Sequence, residues 1–167
     1  MAMNADTMTT PSINLSFTAS AALSDNLQRV LTDLIALELV GKQIHWNIVG
    51  PNFRDVHLNL DEVVAIAREG SDEVAERMRA INAVPDGRPA TVSAATTVPA
   101  APEGEILTSE GVAYIVSAIE AVVATLRGVD EDVDSEDPTS SGIVGDLIGK
   151  LEHQAWFLSA EVRKPVR

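Results

Sequence analysis

Residues 45–61, HWNIVGPNFRDVHLNLD, contain the turn that sets how the first two helices pack. Gly50-Pro51-Asn52 at its centre breaks a helix, while apolar residues continue on both sides at the three- and four-residue spacing of a buried helical face. Because the break is short, we predict two long helices, residues 21–47 and about 53–82, that pack as antiparallel neighbours. The apolar positions are Leu23, Leu27, Val30, Leu31, Leu34 and Ile44, then Val56, Leu60, Val63, Val64, Ala67, Val74 and Met78.

The rest of the chain predicts two more long helices after a long connection. Residues 83–107 contain four prolines and indicate an irregular crossover. A third helix follows Thr108, its expected N-cap, and the acidic stretch 130–137 is expected to end it. Asp137-Pro138 can start the fourth helix. We therefore predict an all-α, ferritin-like four-helix bundle with one long crossover between helices two and three.

Composition limits the number of domains, the kind of metal site and the location to be expected of this chain. The chain has 167 residues, 46% of them hydrophobic, and no cysteine. We expect one bundle domain at residues 20–162, with tails at 1–19 and 163–167. The absence of cysteine excludes disulfides and thiolate metal sites and suits a cytoplasmic location. We find neither a secretory signal nor an apolar run long enough to span a membrane, so no membrane partner is expected.

Two of the three histidines are placed to meet. His45 and His57 lie six residues either side of Pro51, so folding the first helix back on the second brings them level. On the second helix, His57 and Asp61 are four residues apart, as are Asp72 and Glu76. At 100° per residue these four side chains share one arc of about 100°. Each pair could hold a metal ion.

One chain alone cannot join the two pairs. Asp72 lies fifteen residues beyond His57, which is roughly 22 Å along the helix axis. A twofold axis near residues 66 and 67 would set Asp72 and Glu76 of one chain against His57 and Asp61 of another, giving two equivalent sites per dimer. Nitrogen and oxygen ligands suit iron(II), manganese or zinc. The alternative is that the histidines pack in the core and the acids form a solvated face.

These residues also resemble a known family. His45-Trp46-Asn47, Gly50-x-x-Phe53, His57-x-x-x-Asp61 and Asp72-x-x-x-Glu76-Arg77 are similar to the ferroxidase motif of the Dps mini-ferritins. The resemblance implies a homododecamer built from twofold dimers, with His45, His57, Asp61, Asp72 and Glu76 as catalytic metal ligands. It implies two iron ions per site, oxidised with hydrogen peroxide, an iron(III) mineral in the cavity and protection of DNA.

The resemblance implies two further features, and one ferritin motif is absent. Trp46 would lie near the iron, where it either intercepts radicals or simply packs at the dimer seam. Asp137 and Asp146 fall in the region of the family's acidic iron-entry pore. The Glu-x-x-His motif of larger ferritins is absent from the sequence, so a di-iron centre inside one bundle is not expected.

DNA binding is expected to be weak or absent. Many members of the family bind DNA through a lysine-rich N-terminal tail, but the first basic residue here is Arg29, inside the first helix. The C-terminal tail offers only Arg163, Lys164 and Arg167, and the chain carries a formal net charge of −13. A nucleoid-compacting DNA-binding protein is the main alternative function. A metal-independent shell or hydrolase with the same fold is the third possible function.

Overall fold

The computed structural model describes residues 16–165 and contains the four long helices of the predicted bundle. They are α1 (Ala21–Asn47), α2 (Phe53–Ala80), α4 (Thr108–Glu136) and α5 (Pro138–Val162). A short helix, α3 (Pro89–Ala95), lies in the crossover. The predicted fold class is confirmed, and the starts of α1, α2 and α5 agree with the prediction.

Each long helix packs on two antiparallel neighbours. α1 contacts α2 and α4, and α5 contacts α4 and α2. At one end, Ser20 donates from its backbone N–H and its hydroxyl to Glu136, joining the start of α1 to the end of α4. At the other end, the Asn52 amide donates to Glu161. α2 and α4 are therefore parallel and diagonal, which is why a long crossover must connect them.

The crossover is more ordered than the sequence predicted. Residues 83–107 were expected to be irregular, but they contain α3 and the strand β2 (Ile106–Leu107), which pairs in parallel with β1 (Ile48–Val49). Buried Asp33 of α1 accepts hydrogen bonds from the Thr96 and Thr97 hydroxyls, from the backbone N–H of Thr97 and from the Thr125 hydroxyl. These bonds fasten the crossover to α1 and α4.

α4 differs from the prediction at both ends. Thr108 is its first residue rather than its N-cap, and its hydroxyl donates to the Pro51 carbonyl at 2.7 Å. The helix does end within the acidic stretch 130–137, but only at Glu136, because Val129 and Val133 continue the buried face. α4 also has the length and apolar composition of a membrane span, but its apolar side faces the bundle core. At the end of α2, the helix stops at Ala80 rather than near residue 82.

The N-terminal tail expected at 1–19 lies mostly outside the described residues, and so does Arg167 of the C-terminal tail. The described part of the core is a single aliphatic cluster in which all four long helices take part. Every apolar residue that the sequence assigned to the buried faces of the first two helices is buried, and all of them except Val64 belong to this cluster. One bundle therefore holds both histidines of the predicted site.

Candidate metal centre

The turn between α1 and α2 brings His45 and His57 together. Gly50 has φ 114° and Asn52 has φ 57°, left-handed conformations that reverse the chain within a few residues. The two imidazole rings stack with centroids 3.6 Å apart and planes inclined by 26°. The His57 Nδ1–H donates to the backbone carbonyl of His45 at 3.2 Å, which leaves the Nε2 lone pair of His57 available to a metal.

Asp61 completes a group of three possible metal ligands. It lies one turn after His57 on α2, and the ligand atoms of His45, His57 and Asp61 are all within 4.8 Å of one another. Oδ1 of Asp61 is 3.0 Å from Nε2 of His45. The sequence predicted that these three residues meet, and the structure brings them together within one chain.

His45 is buried without a hydrogen-bond partner. Only 7% of the residue is exposed, and neither ring nitrogen makes a well-formed hydrogen bond. The Asp61 oxygen near Nε2 lies off the direction that a hydrogen bond requires. Burial lowers the pKa of the His45 imidazole, although the nearby Asp61 carboxylate opposes the shift. A buried, neutral imidazole with free nitrogens is suited to bind a metal ion.

Lys42 is the site residue that the sequence analysis missed. Its ammonium nitrogen is 2.7 Å from Oδ1 of Asp61, on the side of α1 that carries His45. The hydrogen bond from Lys42 is the main reason that the pKa of Asp61 lies below its ordinary value. The available signal was the three-residue spacing of Lys42 and His45, which puts both on one face of the helix.

Asp72 and Glu76 lie apart from this group. Both are exposed on α2, on the same arc as His57 and Asp61 but toward the other end of the helix. The group of possible metal ligands in the described part of the chain does not include them. One chain thus presents three of the five predicted ligands near the start of α2 and the other two toward its end.

The remaining predicted residues lie elsewhere. Trp46 is 69% exposed beside His45. Asp137 is buried just before α5 and accepts hydrogen bonds from Arg77 at 2.7 Å and from the Ser140 hydroxyl. Asp146 is exposed, and its carboxylate is 2.6 Å from Lys150. Within one chain, both carboxylates expected at the pore are therefore already paired with a cation.

The sequence has known relatives. A model of the ferritin-like domain matches residues 24–166. A "DNA protection during starvation protein" from Mycolicibacterium smegmatis is 30% identical over 148 residues, which cover 89% of this chain and 81% of that protein. A protein of the same name from Agrobacterium fabrum is 29% identical over 139 residues, covering 83% of this chain and 86% of its own length.

Solved structures are also similar. The structure of Dps from Microbacterium arborescens in the high iron form matches with a TM-score of 0.83 and 33% sequence identity, covering 89% of this chain and 100% of that one. The tetragonal form of Mycobacterium smegmatis Dps matches with a TM-score of 0.81 and 29% identity, covering 89% and 96%. The similarity thus extends over nearly the whole described bundle.

Proposed function

This chain belongs to the Dps family of ferritin-like proteins, and we propose that it oxidises iron(II) at sites shared between two subunits and stores iron(III) mineral in a hollow dodecamer. One observation carries the proposal: buried His45 keeps both ring nitrogens without hydrogen-bond partners beside His57 and Asp61. Iron is the substrate and the stored cargo. The high iron form of the Microbacterium arborescens relative supports this choice of metal.

Each proposed site combines two chains. His45, His57 and Asp61 of one chain face Asp72 and Glu76 of the partner subunit across a twofold axis near the middle of α2. Two imidazoles and three carboxylates are enough to hold two iron ions. Carboxylates are hard anionic ligands that bind iron(III) more strongly than iron(II), so the ligand set favours oxidation.

The proposed reaction balances without a further reductant. Each of two iron(II) ions loses one electron, and hydrogen peroxide accepts both as its O–O bond breaks, which yields two hydroxide ions. The reaction consumes iron(II) and peroxide together, the two reactants that generate hydroxyl radical. Cytoplasmic DNA would be protected in this way without being bound. Trp46, next to His45 and largely exposed, is the side chain placed to meet a stray oxidant.

The acidic surface supports delivery of the cation. A chain with a formal net charge of −13 attracts iron(II) over distances of several ångströms at physiological salt. We propose Asp137 and Asp146 as the carboxylates of an entry pore between subunits. Because both are paired within one chain, iron would have to compete there with Arg77 and Lys150.

Loading the apoprotein with iron tests the proposal. Anaerobic addition of iron(II) should saturate at two ions per chain, and peroxide should then produce the absorbance of iron(III). Light scattering should report a particle near twelve times the 17.7 kDa chain. His57→Ala should slow oxidation, while His153→Ala, which changes an exposed histidine of α5, serves as the matched control. Equal rates in the two variants would refute the proposed site.

A further inference from the structure

An exposed leucine lies on the helix face that the proposed site needs to pair. Leu39 is 63% exposed on α1, six residues before His45 and on the same side as Lys42 and Trp46. A single exposed leucine is common on protein surfaces. Leu39 is unusual in its setting, because the same face carries a cleft with an apolar floor.

The cleft lies between α1, α2 and the chain that follows α2. Its volume is about 550 Å³, and Leu31, Ile35, Ala75, Pro85 and Gly87 form its apolar part. Asp72, one of the proposed iron ligands, is at its rim. Ser71, Arg68 and Glu69 also line the cleft. A side chain that entered this cleft would therefore lie beside Asp72.

The twofold axis sets the height at which a second copy meets the cleft. His45 is level with His57, and Lys42 with Asp61, so an axis near residues 66 and 67 of α2 passes α1 near residue 36. Leu39 lies about three residues, roughly 4.5 Å, from that point along α1. The axis therefore brings Leu39 of the partner subunit level with residues 32–34, between Leu31 and Ile35 in the floor of the cleft.

We propose that Leu39 of each subunit inserts into the cleft of the other, and that this reciprocal contact sets the register of the shared site. The inference rests on the two-chain site proposed above, because the same axis carries Asp72 to Asp61 of the partner subunit. The contact would also offset repulsion between the carboxylates of the two chains. Pairing two such faces brings Asp61, Asp72 and Glu76 of both chains together, and burial of two leucines offsets that repulsion before iron arrives.

Loss of the leucine should weaken the dimer in the absence of iron. Leu39→Asp in the full chain should raise the concentration at which the apoprotein dissociates at least tenfold, as measured by sedimentation. Leu107→Asp is the matched control, because Leu107 is 52% exposed in β2, beside the Gly50 turn and outside the cleft. Both sites are exposed, so helix content by circular dichroism should stay unchanged. Equal dissociation of Leu39→Asp and wild type would overturn the proposal.

A compensating pair tests the cleft itself. Ser71→Phe should fill the cleft, and Leu39→Ala should shorten the inserted side chain, so each change alone should weaken association. Together they should restore at least half of what the two single changes lose. Residues 39 and 71 are about 12 Å apart along the bundle within one chain, so strong coupling between them has to act across the interface. Strictly additive effects would mean that Leu39 docks elsewhere.

These measurements separate the two proposals. Sedimentation of the apoprotein involves no iron, so failure of wild-type protein to oxidise iron would overturn the proposed function and leave the contact standing. A normal oxidation rate in a Leu39→Asp protein that remains dimeric would overturn the Leu39 contact and leave the proposed function standing.

Discussion

The ammonium nitrogen of Lys42 lies 2.7 Å from Oδ1 of Asp61, and the same carboxylate oxygen lies 3.0 Å from Nε2 of His45. A lysine thus occupies the position from which Asp61 would bind a cation. Iron that uses this oxygen has to displace the ammonium group. In the proposed site, the Lys42 contact would therefore oppose binding of the iron ion that uses Asp61.

Lys42→Met should increase the affinity for iron(II) at that position. The pair is partly exposed, so its contribution is about 0.2–1 kcal/mol, and removing it should tighten binding by roughly 1.4- to fivefold. Anaerobic calorimetric titration with iron(II) measures this change. Arg127→Met removes the exposed pair with Glu152 on α5 and should leave the affinity unchanged. Weaker binding by the Lys42 variant would show that the lysine assists the metal.

Complementation between chains tests whether the ligands are shared. His57→Ala with Asp61→Ala should abolish fast oxidation of iron(II) by peroxide, and Asp72→Ala with Glu76→Ala should do the same, while both proteins still assemble. In a mixed dimer, one site receives all four changes and the other keeps every native ligand. Activity should therefore return in part, because each dimer has one intact site.

The mixture must be shown to contain heterodimers, which two affinity tags purified in sequence would establish. The control is a mixture of tagged and untagged copies of one variant, which should stay at the background rate. If verified heterodimers also stayed at background, the assignment of the five residues to one shared site would have to be abandoned.

Acid should remove the stabilising contribution of Asp137. Burial by itself raises the pKa of this carboxyl, but hydrogen bonds from Ser140 and Arg77 outweigh burial and hold the pKa below 3.8. A lowered pKa in the folded state stabilises the fold above the unfolded value and ceases to do so as pH falls through the folded value. The contribution should therefore be complete near neutral pH and disappear below pH 3.8.

Asp137→Asn should lower the free energy of unfolding by about 1.5–3 kcal/mol at pH 7. The gap between variant and wild type should close as the pH falls below 3.8. Urea unfolding followed by circular dichroism, at one fixed protein concentration, measures both effects. Asp146→Asn breaks an exposed pair and should cost at most about 1 kcal/mol. A gap that persisted unchanged in acid would contradict the assigned charge interaction.

DNA binding near neutral pH should be weak and should disappear with modest salt. A shell of twelve chains carries twelve times the formal net charge of −13, and the first fifteen residues contain no lysine or arginine. A gel-shift titration at several salt concentrations provides the test, and adding four lysines to the N-terminus should strengthen binding and its salt dependence. Tight binding of the unmodified protein at physiological ionic strength would favour the nucleoid-compacting alternative.

Local pattern was enough to predict the four long helices and the meeting of His45, His57 and Asp61. The three-four spacing of α1 and α2 continues up to the Gly50 turn, and turn position alone makes His45 and His57 level. The same reasoning failed where a pattern was short or ambiguous. Two-residue strands such as β1 and β2 are too short to show a period. The acidic residues after Val129 resembled a helix end, although Val133 kept one face of α4 buried.

Sequence pattern alone specified the four long helices and the side chains that share an arc of α2, because helical periodicity depends only on neighbours in the chain. Tertiary packing was needed for Lys42 to reach Asp61, for Arg77 to engage Asp137 and for Asp33 to fasten the crossover. Those contacts join residues 19, 60 and 64 positions apart. Their geometry depends on which helices pack side by side and at what height, and no local pattern of residues encodes that arrangement.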